Sequence, residues 1–125
     1  MSNPPDQPDS QKRLLIGVVG VCASGKSSLI KGMKARGFQM RHIAQEHSYV
    51  RDMWKRITNP DVLIFLDATY PLTLKRRQLD WTEADWAEQQ RRLAHAREHA
   101  DLYVNTDDLS LEQVLETVMA FIGKL

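Results

Sequence analysis

Two rhythms of apolar residues alternate along this chain. One is the short unbroken run. Residues 14–19 (LLIGVV) and 62–66 (VLIFL) are apolar at successive positions, the pattern of parallel strands covered on both faces. Segments 38–43 and 100–105 read as two further strands. The other rhythm is helical. A stretch from Gly25 to about Arg36 predicts a helix stopped at Gly37. A short helix over 51–57 ends at Asn59-Pro60. Pro71 opens a helix that runs to about Leu79. Thr82, with Asp85 as a variant capping box, opens another that runs to His99. Ser110 caps a last helix in which Leu111, Val114, Leu115, Val118, Met119 and Ile122 recur at helical spacing. Strands alternating with helices predict a three-layer α/β/α domain around a short, mostly parallel sheet.

In such a sheet, ligands bind beyond the carboxyl ends of the strands. Four segments converge there: 20–27, 44–48, 67–70 and 106–108. They carry Gln45, Glu46, His47, Ser48, Asp67, Thr69, Asp107 and Asp108. Strand ends need polar turns in any case, and Asp107-Asp108 before a serine cap fits that ordinary role. Glu46 reads as functional, because titratable and hydrogen-bonding groups flank it one loop away from segment 20–27.

That segment, Gly20-Val21-Cys22-Ala23-Ser24-Gly25-Lys26-Ser27, reads G-x-x-x-x-G-K-S, the Walker A phosphate loop, with the strand before it and the helix after it that the pattern requires. Gly20 and Gly25 permit turns that a Cβ would obstruct. Backbone N–H groups from Gly20 to Ser28 and the helix dipole make an anion site. Lys26 would reach the β- and γ-phosphates and the Ser27 hydroxyl would hold Mg²⁺. The expected ligands are therefore ATP and Mg²⁺. Cys22 is read either as an oxidation-sensitive thiol or as a small filler whose backbone does the binding.

Composition narrows the setting. The chain has 125 residues and a formal net charge of +1. One domain is expected, with no bulk attraction to nucleic acid or an anionic membrane. No apolar run approaches the roughly 20 residues of a membrane span. Residues 1–11, rich in Pro, Asp and Ser, read as a disordered leader without a secretion signal, and 12–125 as the domain. One cysteine excludes an intramolecular disulfide and suits a cytoplasmic chain.

Other motifs compete for attention. His95-Ala96-Arg97-Glu98-His99 matches H-x-x-E-H, a zinc peptidase pattern. It lacks a distant third ligand and reads better as a solvated helix face. Arg76, Arg77, Arg91, Arg92 and Arg97 are candidate lid arginines for a transferring phosphoryl group, Arg76 and Arg77 first by position; they equally suit pairing with Glu83, Glu88 and Glu98. Asn105-Thr106-Asp107-Asp108 lacks the lysine of a guanine-reading segment. Trp54, Trp81 and Trp86 read as core or interface anchors before base-stacking groups. Asp67, acidic at the end of an apolar strand, is either a Mg²⁺ anchor through water or a cap for the next helix.

With these residues in hand, the chain resembles the P-loop kinases of small metabolites, a group that includes nucleoside and nucleoside monophosphate kinases. The segment from Asn59-Pro60-Asp61 to Asp67-Ala68 is similar to a strand of those kinases. Pro71 with Arg76 and Arg77 looks like the start of their lid helix. Arg92-Leu93, Ala96, Glu98, Tyr103-Val104-Asn105, Asp107 and Leu109 resemble the closing segment of guanylate kinases. Gln45-Glu46-His47-Ser48, with Asp52, resembles the Glu-Arg-Ser segment of deoxynucleoside kinases, His47 standing where that family has arginine. The resemblance implies a P-loop NTPase fold and transfer of the γ-phosphoryl group of ATP to a small acceptor such as a nucleoside or nucleotide, with Lys26, Glu46, Arg76 and Arg77 as catalytic groups and Glu46 as the base. Only 46–59 is available where those kinases carry an acceptor-binding region. The pocket is therefore open or completed by a second copy of the chain. The alternative is a nucleotide-binding regulatory module or an NTPase without kinase activity.

Overall fold

A computed structural model describes residues 13–77 and 80–125. The leader expected over 1–11 and the end of the helix expected to reach Leu79 lie outside the described residues. Four strands, β1 (Leu15–Gly20), β2 (Gln39–His42), β3 (Val62–Asp67) and β4 (Leu102–Asn105), form one sheet in the order β2-β1-β3-β4. Every pairing is parallel, with Ile16 beside both Met40 and Val62, and Ile64 beside Leu102. Parallel strands need crossovers, and helical segments supply them. They are α1 (Lys26–Ala35) after β1; a 3-10 turn (Gln45–His47) and a π-helical turn (Trp54–Thr58) between β2 and β3; α2 (Tyr70–Arg76), α3 (Glu83–Arg92) and α4 (Ala94–His99) between β3 and β4; and α5 (Leu111–Ile122) at the end.

The unbroken apolar runs work as expected, because successive side chains leave a strand on opposite faces. From β1 and β3, Ile16, Val18, Val62, Ile64 and Leu66 enter one core with Leu29 and Met33 of α1 and Val114, Leu115, Val118 and Ile122 of α5. Val19, Leu63 and Phe65 enter a second core with Ile43, Trp54, Leu93 and Ala96. Each fully buried aliphatic side chain contributes about 1.5–3 kcal/mol. The domain is an α/β fold with helices on both faces of a small parallel sheet, and no helix among the described residues is long and apolar enough to cross a membrane.

Both capping expectations are met. Thr82 accepts from the Asp85 amide at 3.2 Å while Asp85 accepts from the Thr82 amide at 2.9 Å. Ser110 and Gln113 form the same reciprocal pair. Two helical expectations are corrected. The helix expected over 82–99 divides at Leu93, whose side chain is fully buried against the sheet and whose amide is shared between the carbonyls of Gln89 and Gln90. The resulting i→i−3 bond tightens the turn and re-aims the helix axis. The helix expected over 51–57 is a π-turn closed by the Asn59 amide on the Trp54 carbonyl, with Asn59 left-handed at φ 45°. Gln45 side-chain oxygen accepts from the Trp54 amide at 2.9 Å, and this bond pins the start of that turn.

Candidate functional site

The loop after β1 takes a shape that its residues enforce. Gly20 has φ 157° and packs so closely that a Cβ would be driven into the Leu66 carbonyl. Gly25, at φ 102°, is the left-handed residue from which α1 starts. No side chain caps that helix and no acidic residue stands in its first turn, so its leading amides are left for an anion. Ala23 is also left-handed, at φ 66°, a conformation a non-glycine residue adopts only when its surroundings hold it. Two bonds do so nearby: Ser24 donates its amide to Val21, and Arg76 reaches the Ala23 carbonyl at 3.2 Å.

Lys26 folds back under this loop. Its ammonium donates to the carbonyls of Gly20 at 2.5 Å and Val21 at 3.0 Å, and stands 3.1 Å from Glu46 Oε2. All three of its protons are thereby engaged. Burial pulls its pKa below the ordinary lysine value, the Glu46 carboxylate pushes it back up, and Arg77 lowers it further. Glu46, only 2% exposed, sits on the 3-10 turn after β2. Its Oε2 also faces His42 at 3.7 Å and His47 at 3.8 Å. Its Oε1 is buried with no hydrogen-bond partner. An unmatched buried carboxylate oxygen is costly, and such atoms concentrate where a protein binds or reacts.

Around this pair lies a cleft of about 190 Å³ lined by Cys22, Ala23, Gly25, Lys26, Ser27, Ser28, His42, Glu46, His47 and Arg77. Lys26, Glu46, Ser27, Ser28 and Arg77 are thus brought together. A second cavity, about 210 Å³, continues across Ser24, Gly25 and Ser28 to Arg76, Thr106, Leu109, Leu111 and Val114. Arg76 belongs to this one. Its guanidinium donates to Thr106 Oγ1 at 2.7 Å and to the Thr106 carbonyl. The two candidate arginines, adjacent in sequence, therefore serve different cavities.

Asp67 is not brought to Ser27. Glycine loop and Asp67 line different cavities, the latter with Trp86, Gln90, Arg97 and Tyr103. The physical reason is the period of a strand: Asp67 follows Leu63 and Phe65 on the face covered by Leu93 and Ala96, opposite the face that packs on α1. Its Oδ1 accepts from the Ala68 amide and from Gln90 at 2.8 Å, and its Oδ2 from the Tyr103 hydroxyl at 2.5 Å, with Arg97 3.7 Å away. The placement fits neither expectation: Asp67 anchors β3 to β4, and it is Asp107 that accepts from the Thr69 amide ahead of α2.

The remaining candidates take structural positions. Arg91 and Arg92 pair with Glu88. Trp86 donates to the Ala68 carbonyl, and Trp81 donates to Thr73. Trp54 donates to His95 Nδ1 at 3.1 Å, so His95 is packed against an indole and not simply solvated. Three groups escaped the sequence reading. His42 enters the cleft from the end of β2, Thr106 ties the loop through a bond to the Ser24 carbonyl at 2.9 Å, and Gln89 clasps Cys22. In that clasp Gln89 accepts from the Cys22 amide at 3.0 Å and donates to its sulfur at 3.1 Å. His42 had a signal, since it stands four residues before Glu46 at a strand end. Gln89 had none.

No protein-family model and no curated protein matches the chain, so the functional reading rests on the geometry of the loop and its two cavities.

Proposed function

We propose that the chain is a P-loop kinase-like protein that binds ATP with Mg²⁺ and transfers the γ-phosphoryl group to a small metabolite such as a nucleoside or nucleotide. The observation that carries this reading is the buried Lys26–Glu46 pair, 3.1 Å apart, on the floor of a cleft rimmed by the glycine loop and Arg77. Lys26, the amides at the start of α1 and Arg77 supply positive charge where phosphate charge develops. Ser27, which lines the cleft, would hold Mg²⁺, and the ion when bound would neutralise phosphate charge. The acceptor oxygen, a nucleoside hydroxyl or a nucleotide phosphate oxygen, attacks the γ-phosphorus, the bond to the β-phosphate oxygen breaks and ADP leaves. Where the acceptor is a hydroxyl, its proton passes to Glu46, whose Oε1 is unpartnered. The neighbouring cavity at Arg76, Thr106 and Leu109, partly apolar, suits the nucleoside end of ATP.

A second reading is a nucleotide-binding module without transfer. It is favoured by the segment between Ser48 and Asn59, which leaves Tyr49, Val50 and Ile57 exposed where an acceptor pocket would need walls. A second copy docking there would complete the pocket. Calorimetry with Mg·ATP, followed by ATP turnover with and without a pool of nucleosides and nucleotides, separates the readings. Binding with acceptor-stimulated turnover supports the kinase; binding without it supports the module; no binding overturns both. Turnover per chain that rises with protein concentration, alongside a dimer in light scattering, supports the second copy.

A further inference from the structure

The geometry points to a site for a thiophilic divalent cation, Zn²⁺ foremost, built from Cys22, Glu46 and His47. One ligand atom from each lies within 4.8 Å of the other two. Tetrahedral zinc with bonds of about 2.0–2.3 Å needs ligand atoms roughly 3.3–3.6 Å apart, so the cluster must close by about 1 Å. It has the freedom to do so. Cys22 turns about a single side-chain torsion, and the His47 side chain is 61% exposed. The ligands come from two connections, the loop after β1 and the turn after β2, so closure is a side-chain movement between fixed supports.

The donor set selects the metal. Thiolate, imidazole and a single carboxylate suit Zn²⁺, whereas Mg²⁺ prefers oxygen alone. Glu46 already lacks a partner for one buried oxygen. Cys22 already has the outer contact that metal-bound thiolates receive, an N–H from Gln89 at 3.1 Å. Three protein ligands leave a fourth position, for water or for His42, which lines the same cleft. The other histidine pair does not compete: His95 Nδ1 accepts from Trp54, His99 Nδ1 is bonded to the His95 carbonyl, and no third ligand joins them among the described residues.

The site does not rest on the nucleotide reading, and its test uses the full chain without nucleotide. Titration with Co²⁺ should produce a thiolate-to-cobalt charge-transfer absorption that one equivalent of Zn²⁺ displaces. Cys22→Ser should abolish it. His47→Asn should weaken Zn²⁺ by more than the roughly 10–100-fold expected for Gln89→Ala, an outer-contact change. A double His95→Asn, His99→Asn variant should bind as the parent does. Because His47 is exposed, its variant keeps the test decisive even where Glu46→Gln fails to fold. Absence of the band in the parent, unchanged Zn²⁺ affinity in His47→Asn, or loss of Zn²⁺ in the double histidine variant would overturn the site. Lys26→Ala separates the two readings. It should bind Mg·ATP more weakly, by roughly tenfold or more, and keep Zn²⁺.

Discussion

Two buried carboxylates stand at the carboxyl ends of the two strands that flank β1 and have opposite fates. Asp67, at the end of β3, is satisfied by the protein: both oxygens accept bonds, from Ala68, Gln90 and Tyr103, and Arg97 balances the charge. Glu46, beyond the end of β2, is as buried but keeps one oxygen unpartnered and meets its cation, Lys26, on the floor of a cleft. A closed network holds strands together. An open one has bonding capacity left for something else. The same residue chemistry thus separates into scaffold and site by how completely each group is matched.

The sharpest break in this comparison is Glu46→Gln. On the proposed function the shape stays and the base goes, so phosphotransfer should fall by about 10²–10⁴ while nucleotide affinity holds. Steady-state rates beside calorimetry check it, and equal loss of rate and binding would make Glu46 a binding group only. Lys26→Ala comes next. It removes a charge-assisted contact of about 1.5–3 kcal/mol, so Mg·ATP should bind roughly tenfold to over a hundredfold more weakly. Identical binding by the variant would remove Lys26 from the site.

Asp67→Ala should do the reverse. Stripping the acceptor from Tyr103 and Gln90 should lower stability by about 1–3 kcal/mol in denaturant melts and leave nucleotide affinity unchanged. A variant of normal stability that binds no ATP would exchange the roles assigned to the two acids. The smallest effect is the pH dependence of Tyr103. Burial, with the Asp67 carboxylate beside it, raises its pKa from 10.0 to about 12. Its neutral form is the one favoured in the fold. The stabilisation is therefore complete below pH 10 and is lost as pH rises through about 12. Melts across that window should decline more in the parent than in Tyr103→Phe; parallel curves would show that the hydroxyl contributes nothing.

All four strands and the glycine loop were legible because period and punctuation are local. So was the meeting of Glu46 with the loop, since two adjacent parallel strands end on one rim. Asp67 was not. Its alternation with Leu63 and Phe65 says that the three share a face, but only the packing of α1 on the other face says which face is wrong for Ser27. Nor does sequence spacing show that Arg76 and Arg77 part company, because successive residues near a helix end point in different directions. The division of the long helix at Leu93 was hidden as well. The pattern there is helical throughout, and the demand that breaks it comes from the sheet.

The sheet order also sets when the site comes into being. Lys26 and Glu46 belong to the first strand–helix–strand unit, whereas β1 meets β3 only through partners such as Ile16 and Val62, and β3 meets β4 through Ile64 and Leu102. Such distant pairings close large loops and are slow to form. Until β3 arrives, one edge of β1 has unpaired backbone groups, and Gly20 has no Leu66 to pack against. During synthesis the glycine loop is thus made before β3 and acquires its shape only once β3 has followed it.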